Sequence, residues 1–393
     1  MANPTRIGSI DFLRGLVLVA ILIDHVPGNA LEHLTPRNFA LSDSAEAFVF
    51  LSGVSVGLAY FRKAMASGLR PVTRSCFARA AYIYRVHMGL TIGAVAIFGA
   101  WYWLSGFAPL IEAHGRTVVF HEPVRGAIGV ALMSHQLGYF NILPMYVVLM
   151  GFAPLILAMA RISLALTMIV SAGAYSAVRL LDLHLPNWPE PGGWFFNPLA
   201  WQLVFTLGVV AAIRWREEPL RRSSAAQAAC LALAAAGAIV VTDGLGLLPG
   251  LRDLVFGRLD VGKQNLGAAR LINFLALAYV VATSPFVPRL AATWIGQELQ
   301  RMGRHSLEVF ALGSLLSALA QASTSTLVEV APEGLVKGLE LVYIVACVGA
   351  LGALARHLEC STTPHRGGLE VFARLGAHVR QFLARSLRSL PAQ

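Results

Sequence analysis

The sequence predicts an all-α, polytopic integral membrane protein of about ten transmembrane helices with amphipathic helices at the interface. Three observations lead there. Hydrophobic residues fill 56% of the 393 positions and charged residues 13%, roughly half the charged share of a soluble chain. Mean hydropathy is +0.64. The apolar residues are gathered into runs long enough to cross a hydrocarbon layer, joined by polar connections.

The first run, 9–28, is Ile10-Asp-Phe-Leu-Arg-Gly-Leu-Val-Leu-Val-Ala-Ile-Leu-Ile-Asp-His25 at its heart. It is apolar enough to span, yet carries Asp11, Arg14, Asp24 and His25, and ionisable groups in a span are costly and point to function. At 100° per residue, Asp11, Arg14 and His25 fall within about 60° of one another, with Arg14 and His25 separated by ~16 Å along the axis. As a structural alternative, Asp11 and Arg14 form an ion pair that eases insertion. No cleavage pattern follows Pro27-Gly28-Asn29, so the run is read as a retained span.

The second run, 45–62, opens on Asp43-Ser-Ala-Glu46. Asp43 and Glu46 fit a capping box; equally, Glu46 reaches the depth of His25 and could fix its tautomer. Ser52-Gly53 and Gly57 predict close helix packing or room for a threaded ligand. Residues 70–85 read as an amphipathic surface helix, followed by runs 84–105, 139–160 and 163–181. The Pro/Gly/Trp-rich stretch Leu185 to Pro198 reads as a loop anchored at the interface rather than a sugar platform. Runs 199–215, 224–248, 268–288, 305–323 and 335–356 complete the set, giving one transmembrane domain over 1–356. A basic amphipathic tail, 357–393, sets Phe372, Leu375, Val379 and Phe382 against Arg374, Arg380 and Arg385.

The net charge of +10 follows the positive-inside rule better than nucleic-acid binding, since no basic-aromatic module is present. Arg62, Lys63, Arg70, Arg74, Arg79 and Arg85, then Arg214, Arg216, Arg221 and Arg222, then Arg289, Arg301 and Arg304 share one side with the tail. Both termini are therefore expected in the cytoplasm. The opposite loop with Arg252, Arg258, Lys263 and Arg270 breaks the rule; it binds an anion, or its charge is tolerated beside Asp253 and Asp260. Cys76, Cys230, Cys347 and Cys360 have neither disulfide-framework nor metal-ligand spacing, and His114, His121 and His135 do not form a chelate pattern, so no metal is expected.

Arg14 and His25, ten residues apart within Asp11-Phe-Leu-Arg14-Gly15, resemble the first-helix motif of the membrane acyltransferase-3 superfamily. The wider set Thr35-Pro-Arg-Asn-Phe39, Ser42 to Gly53, Ile142-Leu-Pro-Met-Tyr146, Phe196 to Leu203, Gly262-Lys-Gln-Asn-Leu266, Arg270 to Ala278 and Gly303-Arg-His-Ser-Leu307 resembles the OpgC family, osmoregulated periplasmic glucan succinyltransferases. Asn141 departs from the aspartate associated with that family, which removes an acid role there. The resemblance implies a bacterial inner-membrane enzyme that moves a succinyl group from cytoplasmic succinyl-CoA, its donor substrate, to a glucose hydroxyl of a periplasmic glucan, with no tightly bound cofactor. On that reading His25 is the general base or a covalent nucleophile, and Glu46, Arg14 and Asp11 complete the catalytic group. Arg74, Arg79, Arg301 and Arg304 are candidates for the CoA phosphates. Arg37, Asp43, Lys263, Asn265 and Arg270 are candidates for the succinyl carboxylate or glucan. The alternatives are a transporter or flippase of a small anion or acyl carrier, and an acetyltransferase acting on another surface polysaccharide.

Overall fold

The computed structural model describes residues 7–26, 28–218, 220, 222–329 and 331–361. The tail from Phe372 onwards and Arg221 lie outside these described residues.

Helices stand at all ten predicted positions: α1 (Gly8–Asp24), α2 (Ser44–Ser67), α3 (Leu69–Ser105), α4 (Ile142–Ile162), α5 (Leu164–Leu180), α6 (Pro198–Glu217), α7 (Ser224–Val241), α8 (Ala268–Thr283), α10 (Ser306–Leu327) and α11 (Glu333–Cys360), with a further helix α9 (Trp294–Arg304) before α10. Among the described residues seven are long and apolar enough to cross a membrane, or eight if the bent α8 is joined to the turn after it. The protein is a multi-pass membrane protein. The N-terminal end of α1 marks the near end of the bundle, and its C-terminal end the far end.

Three expectations change. The amphipathic stretch 70–85 is not a separate surface helix, because α3 runs unbroken for 37 residues, about 55 Å at 1.5 Å per residue. That is longer than a bilayer core requires, so its basic first turns extend beyond the span. The predicted span 268–288 stops at Thr283, where Ser284-Pro285 breaks it and the helix Phe286–Ala292 departs at 67°; proline cannot donate the bond that would continue it. The connection before 305 is itself helical: α9 is capped by the Thr293 hydroxyl, which accepts from the Gly296 N–H at 3.1 Å.

Glycine sets the two closest helix pairings. Gly53 of α2 lies on the Phe205 carbonyl of α6, and Gly208 of α6 on the Phe50 carbonyl of α2, so neither site has room for a Cβ. Gly57 adds a third contact, against Val209 and Ala212. Small residues let backbones meet where lipid supplies no hydrophobic drive to associate. These glycines therefore serve packing rather than a ligand. Gly15 of α1 and Gly303 of α9 repeat the device, abutting the backbones of Leu299 and Asp11. Side chains such as Ile92 on α3, Ile169 on α5, Leu231 on α7 and Val342 on α11 remain exposed, the surface a bilayer would cover.

Two connections fold over the far end. Residues 106–141 carry short helical turns around buried Arg116, which stacks on Phe98 at 4.0 Å. Burial pushes the Arg116 guanidinium down to about 10. Residues 182–197 form the second, in which Trp194 is buried and donates to the Pro186 carbonyl at 3.2 Å.

Candidate functional site

A cavity of about 630 Å³ lies beneath these connections. His25 reaches it because it closes α1, its backbone N–H bonding to Ile21 O at 3.1 Å. Asp43 reaches it as the N-cap of α2, accepting from the Ala45 N–H at 2.8 Å while Glu46 accepts from the Asp43 N–H at 2.8 Å. The capping box is thus complete.

The acids of that box also pair with two cations from further along the chain, Lys263 and Arg270. Lys263 Nζ lies 2.5 Å from Asp43 Oδ2, and Arg270 is 3.1 Å from Asp43 and 2.7 Å from Glu46. Burial would raise the Asp43 carboxyl, but Lys263 and Arg270 outweigh it and hold the group below its ordinary value. Of the two acids that the sequence set beside these cations, Asp260 pairs with Arg179 instead. Lys263 also sits over the Phe195 and Phe196 rings, at 5.9 and 5.4 Å from their centroids, so the 185–198 stretch builds part of the cavity wall as well as any interfacial anchor.

Glu46 therefore does not contact His25. Its oxygens are taken by Arg270 and the Asp43 backbone. The imidazole instead meets the edge of Tyr139, centroid to centroid 5.1 Å at 68°, and Gln321 donates to the His25 carbonyl at 2.7 Å. Neighbouring Asp24 accepts from Thr35 Oγ1 at 2.6 Å. Arg37 touches only the Asp24 carbonyl, at 3.4 Å, and has no carboxylate partner among the described residues.

A second, small cavity of about 30 Å³ contains Arg14, Ser52 and Arg79. The same four helices supply both spaces. α1 gives Val17 to the small cavity and Ile21 to the large; α2 gives Phe48 and Ala45, α4 Tyr146 and Ile142, and α10 Leu307 and Phe310. Each pair is three or four residues apart, one helical turn or about 5 Å. In α1 and α10 the large-cavity residue comes later in the chain; in α2 and α4 it comes earlier. The cavities are therefore stacked along one axis between helices of alternating direction. The Phe48 ring lines the small cavity and packs 5.7 Å from Phe310, which lines the large one, and 6.4 Å from Tyr146.

Other predicted residues lie elsewhere. Arg301 pairs with Glu298 and Glu359, and Arg304 with Glu359, in a network joining α9 to α11. Those pairs compete with any phosphate. Arg74 is exposed on α3, five residues before Arg79. The Asn265 side chain accepts from Asn197 at 2.8 Å, and its carbonyl accepts from Arg179 at 3.0 Å, so it pins the loop and lies outside the cavity lining. Asp11 is buried on α1 where its backbone abuts Gly303. Among the described residues no cluster of His, Cys, Asp and Glu is placed to hold a metal. Sequence reasoning missed Tyr139 and the Phe48 contacts; Gly138 before Tyr139 was the available signal for a tight loop.

No curated protein and no solved structure matches the chain. Residues 6–361, nearly the whole chain, match the family model described as OpgC protein. On that coverage the chain belongs to the OpgC protein family, which makes this multi-pass membrane protein an acyltransferase of the glucan-modifying type.

Proposed function

We propose that the protein transfers a succinyl group from succinyl-CoA, bound from the cytoplasmic near end, to a glucose hydroxyl of a periplasmic glucan at the far end of the bacterial inner membrane. The stacked cavities carry this reading. A thioester made on one side and an alcohol held on the other must meet inside the bilayer, and the two spaces lie on one line, with Arg14 and Arg79 in one and His25 in the other.

In this scheme the CoA phosphates rest on Arg79, with exposed Arg74 five residues earlier on α3, and the pantetheine arm runs along α1. Its path is comparable to the ~16 Å between Arg14 and His25 and requires the Phe48 ring to turn aside. The acceptor hydroxyl gives its proton to His25 as its oxygen attacks the thioester carbonyl. The carbon–sulfur bond breaks, and the thiolate of CoA takes the proton from the imidazole. Among the cations first assigned to the succinyl carboxylate, Lys263 and Arg270 are already neutralised by Asp43 and Glu46. Arg37 remains available, and a guanidinium can grip a carboxylate with two parallel bonds.

The test uses purified protein in detergent with radiolabelled succinyl-CoA and glucan. Label should appear on the glucan with wild type and not with His25→Ala, both variants inserting and purifying alike. Two cavities stacked along one axis also suit alternating access by a transporter. That reading predicts no labelled glucan in detergent and label movement only across a sealed membrane.

A further inference from the structure

We propose that Tyr139 is the positioning residue of His25, holding the imidazole through its ring in the place a carboxylate would otherwise take. The inference rests on the reading of His25 as the base. An imidazole that moves protons needs a third group to fix its orientation, and Glu46 is committed to Arg270 and the Asp43 backbone. Among the described residues the His25 ring has no hydrogen-bond partner, and its ring contact is the edge-on approach of Tyr139 at 5.1 Å and 68°.

Tyr139 is in turn held from behind. The His114 ring lies 5.3 Å from it at 65°, so the phenol stands between two imidazoles from distant parts of the chain. The two loops that bring them together are tied where the Gly138 N–H donates to the His114 carbonyl at 2.8 Å. A Cβ at Gly138 would come within 2.7 Å of the His114 Cβ, so the approach requires glycine. His114 and Tyr139 both adopt left-handed backbone, with φ of 57° and 71°. Side chains adopt that region at a cost, and it persists where surrounding contacts over-determine it, commonly at functional sites. Here one member of the strained pair, Tyr139, meets His25, and the other, His114, packs against Tyr139. Burial and nearby Arg116 both lower the His114 pKa, which favours the uncharged imidazole beside the Tyr139 ring.

Because the role is assigned to the ring, Tyr139→Phe should keep kcat within about threefold of wild type. Tyr139→Ala should lower kcat by about 100-fold, the cost of a reacting group displaced by about an ångström, with KM for succinyl-CoA unchanged. His114→Ala should lower kcat by a smaller factor, restored by His114→Phe. In a His25→Ala background the further change Tyr139→Ala should have no effect on residual turnover. The proposal is overturned if Tyr139→Ala is fully active, if Tyr139→Phe loses as much as Tyr139→Ala, or if the loss lies in KM alone. A variant that fails to purify as wild type is replaced by Tyr139→Leu, which must reproduce the kcat loss. Full activity of His25→Ala would instead remove the underlying assignment of the base, a result separable from all of these.

Discussion

Lys263 places its ammonium 2.5 Å from the carboxylate of Asp43, 220 residues earlier in the chain. With Arg270 and Glu46 it forms a partly buried group of two cations and two anions that fastens the loop before α8 to the start of α2. The pairing explains how Lys263 and Arg270 can lie close together in this part of the chain.

Removing one member strands the others. Lys263→Met should destabilise the protein, and Arg270→Met, which leaves buried Glu46 without its cation, should cost about 3–5 kcal/mol. Pairing it with Glu46→Gln should recover part of that loss. Thermal unfolding in detergent reads the order. An effect of Arg270→Met below that of an exposed pair, under about 1 kcal/mol, would show the cluster to be dispensable.

The pH dependence of the Lys263 contact has a defined sign. The Asp43 pKa is depressed below its ordinary 3.8. A depressed acid contributes stability that is present above its unfolded value and lost as pH falls through the folded one. The contribution of the Asp43–Lys263 contact to the stability gap between wild type and Lys263→Met should therefore shrink as pH falls below about 4. Unfolding measured from pH 7 to 3 tests this, and a gap that widens on acidification would refute it.

Helix contact at Gly53 leaves no room for a side chain. Gly53→Val should cost about 1–3 kcal/mol by forcing α2 from α6. The same change at Gly151, which has open space around its Cβ position, should be far milder. Equal effects at the two positions would contradict the packing described.

Phe48 should govern passage between the cavities. Phe48→Trp is expected to lower kcat/KM for succinyl-CoA at least tenfold while sparing binding of free CoA. In a chain with Cys76, Cys230, Cys347 and Cys360 replaced, Ala45→Cys should react with a near-side thiol reagent faster when Phe48 is also Ala. Labelling independent of residue 48 would place the route elsewhere.

Arg37 should discriminate acyl groups. A charge-assisted hydrogen bond is worth about 1.5–3 kcal/mol, so Arg37→Ala should reduce the preference for succinyl-CoA over acetyl-CoA by about 10- to 150-fold, measured as a ratio of kcat/KM values. Arg301→Ala should leave that ratio and donor affinity unchanged, since Glu298 and Glu359 already occupy its guanidinium.

What the sequence determined by itself was whatever a local period or the bilayer imposes. Ten helices were legible because apolar runs of helical length stand out along the chain, though only seven or eight of them are long and apolar enough to cross a membrane among the described residues; Arg14 and His25 were legible as one helix face because helical geometry fixes their separation. The Asp43–Glu46 capping box was readable for the same reason, its residues being one turn apart. Tertiary structure decided which charges meet and which side chains close the space. Glu46 turned to Arg270 because the first turn of α8, more than 200 residues away, arrives beside it, and Tyr139 faces His25 because two loops are tied at Gly138. Phe48 meets Tyr146 and Phe310 because helices far apart in sequence converge there. Such contacts carry no periodic signature, so only the folded bundle selects them.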